Sequence, residues 1–264
     1  MKTSPILMTI CLAGAGLGST LTHADTLEVI SSGGFYSSME KLIPIFEKQT
    51  GHTVHLSSGS SMGASPTAIP NRLDRGERFD VVVLAAPELN KLAEKGYVAP
   101  DSQRALVNSS IGMAVPKGAP KPDISSAEKF EKVLLNAKHI GYSASASGTH
   151  LEKDVFPSFP PVEYKVIAGK AEKVVGDRVA KRIAEGQFDI GFQQISEIKP
   201  FTGQYGQVDL VGPIPAPYQK VTVFAAGIGK NSEHEKVAKE LIQFVKSPQA
   251  TQIIEQQGLE QVKQ

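Results

Sequence analysis

The sequence predicts an α/β protein of two lobes, each a mostly parallel sheet flanked by helices. Short β-branched runs alternate with helical patterns from Thr26 to Gly258, as in parallel strands joined by crossover helices. The alternation falls into two runs, the second opening at Ile111. That second run ends in a strand and two helices that need a surface to pack on. Returning them to the first lobe makes the chain cross between lobes twice.

In the first run, Thr26–Ser31 is a strand. Ser37 to Glu40 has the spacing of a helix-opening capping box, and Met39, Leu42, Ile43 and Phe46 recur at helical spacing. Pro44 interrupts that pattern and predicts a kink, and Gly51 closes it. Thr53–Ser57 is a second strand. Ser65-Pro66 starts a helix with proline in its first turn. Asp80–Ala85 is a continuous β-branched run, typical of a strand buried on both faces. Pro87–Lys95 is helical and stops at Gly96.

In the second run, Ile111–Val115 is a strand and residues 117–123 (KGAPKPD) form a surface loop. Ser125 to Glu128 caps an amphipathic helix carrying Phe130, Val133, Leu134 and Ala137. His139–Ser143 is a strand entering a Ser/Ala/Gly turn, with a helix from about Gly148. Gly176–Glu185 is helical and Asp189–Gln193 is a buried strand. Val208–Val211 and Val221–Ile228 are strands. Ser232 to Glu235 caps a helix over Glu233–Lys246, and a last helix ends at Gly258.

Residues 1–24 read as a cleavable signal peptide. Lys2 supplies the positive start, Ile6–Leu17 is an apolar stretch too short to span a bilayer, and Ala24 is small at the cut. Cys11, the one cysteine, falls inside this leader. Residues 25–264 therefore hold no disulfide, thiolate metal site or cysteine nucleophile. The chain has 28 Lys and Arg against 27 Asp and Glu. The leader takes one lysine with it, and the balanced remainder argues against nucleic acid or an anionic membrane as partner.

Ligands of open α/β sheets bind beyond the carboxyl ends of strands, where helices begin. Three such turns are rich in Ser and Gly: Ser31–Gly34, Ser57–Gly63 and Ser143–Gly148. Their hydroxyls, free N–H groups and helix dipoles make a cradle for a small anion. Ser31, Ser32, Ser60, Ser61, Ser145, Ser147 and Gly148 are the candidate contacts. The same residue types also serve as plain turns and caps. Gly59–Gly63 fits the G-x-S-x-G elbow of serine hydrolases, with His139, His150 and His234 downstream, so a hydrolase stays open. Arg72 adds a positive charge or lies on a solvated helix face. Lys220, between Pro217 and a strand, falls where the lobes join. His150 lies in a helix first turn, where the dipole holds an imidazole neutral and suits it to act as a base. Gln193 and Gln194 end a buried strand, where amides face a cleft rather than a core. Dinucleotide, P-loop, zincin and EF-hand patterns are absent, and neither cofactor nor metal is predicted.

Five segments together carry a resemblance: EVISSGGF (28–35), SSGSSMGASPTAIPNRLDRGERFDVVVLA (57–85), IGYSASASGTHLEKDVF (140–156), AEGQFDIGFQQISEI (184–198) and PYQKVTVFAAGI (217–228). Nearly end to end after residue 25, the chain resembles the molybdate-type periplasmic substrate-binding proteins. The resemblance implies the type 2 periplasmic binding fold, with residues 25–107 plus 222–264 as lobe 1 and 108–221 as lobe 2. It implies a periplasmic location. The family's oxyanion contacts fall on Ser32, on Ser60 or Ser61, on Ser147 and on Val175 or Gly176. A position usually held by tyrosine is Gln194 here. GFQQISE and ASASG look like a side branch of the family that resembles periplasmic aconitate isomerase. That branch implies interconversion of trans- and cis-aconitate, a tricarboxylate, by an allylic proton shift in the cleft. His150 and Lys220 are the expected catalytic groups, and the serines, Arg72, Gln193 and Gln194 the expected binding groups. The alternative is a binding protein that hands a molybdate-like oxyanion or small carboxylate to the membrane subunits of an ABC transporter.

Overall fold

The computed structural model describes residues 24–262; all but the last residue of the leader lies outside the described residues. The first lobe begins with β1 (Thr26–Ser32), α1 (Gly33–Thr50), β2 (Thr53–Gly59), α2 (Ile69–Asp74), β3 (Val81–Ala85) and α3 (Ala86–Glu94). β4 (Arg104–Ser109) leads out of it. The second lobe holds β5 (Ile111–Pro116), α4 (Ala127–Asn136), β6 (Ile140–Ser143), α5 (Ala146–His150), α6 (Pro161–Ala168) and β7 (Ala171–Val174), then α7 (Val179–Ala184), β8 (Ile190–Gln194), α8 (Ile195–Ile198) and β9 (Val208–Pro213). β10 (Thr222–Ile228) returns to the first sheet, followed by α9 (Glu235–Val245), α10 (Pro248–Gln256) and β11 (Leu259–Gln261).

The strand orders are β11-β4-β10-β3-β1-β2 and β7-β6-β8-β5-β9. Both sheets are mixed, where strand–helix alternation predicts mostly parallel ones. β1 runs parallel to β2 and β3, and β6 to β7 and β8. The strands next to the crossings run antiparallel to their neighbours: β10 to β3 and β4, and β5 to β8 and β9. The physical reason is connectivity. β5 and β10 enter their sheets from the other lobe, without the crossover helix that makes a parallel pair.

Each sheet is buried by helices of its own lobe. α1 packs Phe35, Met39, Leu42 and Phe46 into one cluster with Val29, Val83, Val237, Leu241 and Ile254. β3 is buried along its whole length, as its β-branched run predicts. In the second lobe Phe130 of α4 meets Phe192 of β8 edge-on, at 5.7 Å between ring centroids.

Several helix starts differ from the sequence reading. α1 starts at Gly33 rather than Ser37, with Ser32 at its N-cap, and Ser37 is buried inside it. The helix runs through Pro44 and closes at Gly51, whose φ of 78° is the left-handed cap predicted there. α2 starts at Ile69, with Pro70 rather than Pro66 in its first turn. α5 starts at Ala146, ahead of Gly148. The earlier starts of α1 and α5 share a cause. A helix that begins close behind its strand places its unpaired N–H groups at the mouth of the sheet, and tertiary packing outweighs the capping preference.

Candidate active site

A cavity of about 340 Å³ lies between the two sheets. The first lobe lines it with Ser32, Gly33 and Gly34 at the head of α1, and with the loop after β2. The second lobe lines it with Ser143–Ser147, Asp177, Arg178, Gln193, Gln194 and Glu197. The size suits a small metabolite.

The serine turns supply donors. Ser32 Oγ is buried and has no hydrogen-bond partner among the described residues. Ser61 Oγ accepts the Ala85 N–H at 3.1 Å, which leaves its own hydrogen free to donate. Ser60 Oγ donates to Met62 O at 2.8 Å. The Ser143 and Ser147 hydroxyls lie 2.9 Å apart, and Ser145 is the N-cap of α5. The free N–H groups at the start of α1 add the positive end of an 18-residue helix.

Of the residues singled out in the sequence, Ser32, Ser60, Ser61, Ser145, Ser147, Gln193 and Gln194 line the cavity. Ser31 and Gly148 do not. Ser31 is buried and donates to Ser32 O at 3.2 Å. Gly148 lets α5 close onto β6, because a Cβ there would overlap Ser143 O. Arg72 is also off the cavity: its Nε donates to Glu77 at 2.8 Å, it donates to Ser58 O at 3.1 Å, and its guanidinium lies 5.1 Å from the Phe79 ring centroid.

The expected catalytic pair, His150 and Lys220, does not line this cavity. His150 Nδ1 lies 2.8 Å from Asp154 Oδ2 and its Nε2 lies 3.0 Å from Tyr218 O. Both ring nitrogens face acceptors outside the cavity. Lys220 is exposed, with Nζ 3.9 Å from the same Asp154 carboxylate. The end of α5 and the segment before β10 meet there on the second lobe. Gln194 is engaged too: Ser109 Oγ donates to its Oε1 at 2.7 Å, and its Nε2 donates to Thr222 Oγ1 at 3.0 Å. It ties together the ends of β4 and β10, the strands by which the chain crosses.

The sequence reading missed the four ionisable lining residues, Asp177, Arg178, Lys181 and Glu197. Glu197 sits on α8, three residues past Gln194. The residue is half-buried, with its carboxylate against the backbone of Gly33. Burial pushes the carboxyl up to about 7, against the pull of the Arg178 charge, the Gln193 side chain and the Gln194 N–H. The carboxylate rests against Gly33, where a Cβ would overlap Oε1. Arg178, at the head of α7, has its guanidinium carbon 6.0 Å from the Tyr36 ring centroid and 5.8 Å from that of Phe201. Burial raises the neighbouring Asp177, but Lys181 and Arg182 hold it below the usual carboxylate range. The one sequence signal for Glu197 is a lone acid in the apolar stretch after the two glutamines. Among the described residues, no group of three or more His, Cys, Asp and Glu is placed to hold a metal ion.

The family model for bacterial extracellular solute-binding proteins matches residues 27–260. The chain is 39% identical over 262 residues to an aconitate isomerase from a Pseudomonas species, covering 98% of each chain. It is 25% identical to a molybdate-binding protein of Azotobacter vinelandii, over 93% of this chain and 94% of that one. Among solved structures, the Azotobacter vinelandii periplasmic molybdate-binding protein superposes with a TM-score of 0.70 at 23% identity, covering 90% of this chain and all of that one. The sulfate-binding protein of Mycobacterium tuberculosis gives 0.72 at 18% identity, over 91% and 88%. At these identities the solved structures speak for the fold alone. The matched family model, spanning nearly all the described residues, identifies the chain as a member of the bacterial extracellular solute-binding protein family.

Proposed function

We propose that this chain is an exported aconitate isomerase, interconverting trans- and cis-aconitate within the interlobe cavity. The observation that carries the reading is the 39% identity to the Pseudomonas enzyme along essentially the whole of both chains. The cavity chemistry supports it. Aconitate carries three carboxylates and one C=C. Isomerising it by an allylic shift removes a methylene proton beside a carboxylate and returns a proton to the former vinyl carbon. The reaction needs a proton-transfer group and donors for the charge that grows on the dienolate carboxylate. The serine hydroxyls, the N–H groups of α1 and Arg178 supply the donors.

Residues 25–107 with 222–264, and 108–221, act in this reading as two lobes that close over the substrate and exclude water. Residues 1–24 direct the chain to the periplasm and are removed there, and a tricarboxylate is the ligand. The direct test is to incubate purified protein with trans-aconitate and follow cis-aconitate by NMR, without added metal or cofactor. Absence of conversion rejects the reading.

A second reading is favoured by the family itself. A binding protein of this fold would hold an oxyanion or small carboxylate for ABC transporter membrane subunits. Thermal stabilisation by molybdate, with no turnover of aconitate, is its signature. Gln194 counts against it for molybdate, because it stands where the resemblance places a tyrosine.

A further inference from the structure

We propose that Glu197 is the catalytic acid–base of this site: it removes the methylene proton and, once protonated, supplies the proton to the former vinyl carbon. This rests on the isomerase reading and deepens it. The argument is geometric. Glu197 lines the cavity beside the donor groups at the head of α1. The other ionisable lining groups near it are committed. Asp177 is paired with Lys181 and Arg182, each at 3.0 Å. Lys181 also pairs with Glu185 at 3.7 Å. Arg178 offers N–H donors and no acceptor. His150 and Lys220 face Asp154 outside the cavity.

Glu197 is also built to stay poised. Gly33 leaves room for its carboxylate, and Gln193, near the end of β8, sits beside it. The elements packed on α8 carry Tyr36 and Glu40 on α1, Arg178 and Lys181 at α7, Lys199 in the next turn and Asp209 on β9. Arg178 is the one whose charge acts on Glu197. A carboxyl balanced between burial and one arginine titrates near neutrality, where proton exchange with carbon is most efficient.

The step balances without a co-reactant. Glu197 takes the proton from the methylene carbon, and the C–H electron pair becomes the new C=C bond. The old C=C pair moves to the former vinyl carbon, which takes the proton and leaves Glu197 ionised. Between these events the extra charge spreads onto a substrate carboxylate held by Arg178 and the serine donors.

The test compares wild type, Glu197→Gln and Glu197→Asp in the full mature chain. The readouts are trans- to cis-aconitate turnover from pH 5 to 9 and thermal stabilisation by trans-aconitate. Glu197→Gln is expected to lose turnover by on the order of 10²- to 10⁴-fold while still being stabilised by trans-aconitate. Glu197→Asp is expected to keep part of the turnover with a displaced acidic limb. Turnover of Glu197→Gln within tenfold of wild type overturns the assignment and leaves the isomerase reading standing. Absence of turnover in wild type overturns both.

Discussion

The Glu197 carboxylate rests directly on Gly33, the first residue of α1, so any side chain at position 33 would displace it. A backbone position in one lobe therefore sets where an ionisable group of the other lobe can stand. Gly33→Ala tests this without touching an ionisable group. Gly33 is not among the glycines with positive φ, so its backbone accepts alanine and the fold is expected to hold. Turnover is expected to fall by about tenfold to a hundredfold, because small misplacements of a reacting group are costly. Steady-state kinetics beside a thermal melt separates the two effects.

Glu197 also makes stability depend on pH. Its folded-state carboxyl is raised to about 7 from the ordinary 4.5. The folded chain therefore binds the proton more tightly than the unfolded chain, and stability is lost as pH rises from about 4.5 through 7. Glu197→Gln removes this penalty. The variant is expected to be more stable than wild type at pH 8 by on the order of 3 kcal/mol, with the gain vanishing near pH 4. Urea titrations at the two pH values check it.

Arg178 pulls the Glu197 carboxyl down while burial pushes it up. Arg178→Gln is expected to move the acidic limb of the kcat/KM profile to higher pH. It is also expected to raise KM for trans-aconitate by about tenfold or more, since a charge-assisted bond to a carboxylate is lost. An unmoved limb would show that the arginine does not act on Glu197.

Gln194 joins Ser109 to Thr222 at the two crossings. Gln194→Ala strands the buried Ser109 hydroxyl, and a loss of about 1–3 kcal/mol in unfolding free energy is expected. Chemical denaturation measures it directly.

His150 and Lys220 supply the contrasting case. Both meet Asp154 outside the cavity. His150→Ala and Lys220→Ala are each expected to keep turnover within about twofold. His150→Ala should lose about 1 kcal/mol of stability with its bond to Tyr218 O, and Lys220→Ala less, since its pair is exposed. Loss of turnover in either variant would return the proton transfer to this cluster.

The two-lobed α/β class was legible because buried strands and amphipathic helices write their periods locally, as Val81–Ala85 and Phe130, Val133 and Leu134 do. β7 was not legible: it lies at a sheet edge with Glu172 and Lys173 exposed, so no buried run marks it. β4 and α8 were missed as well. α8 is a single turn, too short to show a helical period.

The amino-acid order by itself determined that Ser- and Gly-rich turns follow strands, and hence that donors such as Ser32, Ser61 and Ser147 gather at one mouth. Only the tertiary structure decided which ionisable groups reach that mouth. Arg72, His150 and Lys220 find partners elsewhere, while Arg178 and Glu197 arrive from separate turns of the second lobe. Donor turns are local, set by a few consecutive residues. The pairing and enclosure of a charge depend on groups distant in sequence, and those meet only when the chain has crossed between its lobes and back.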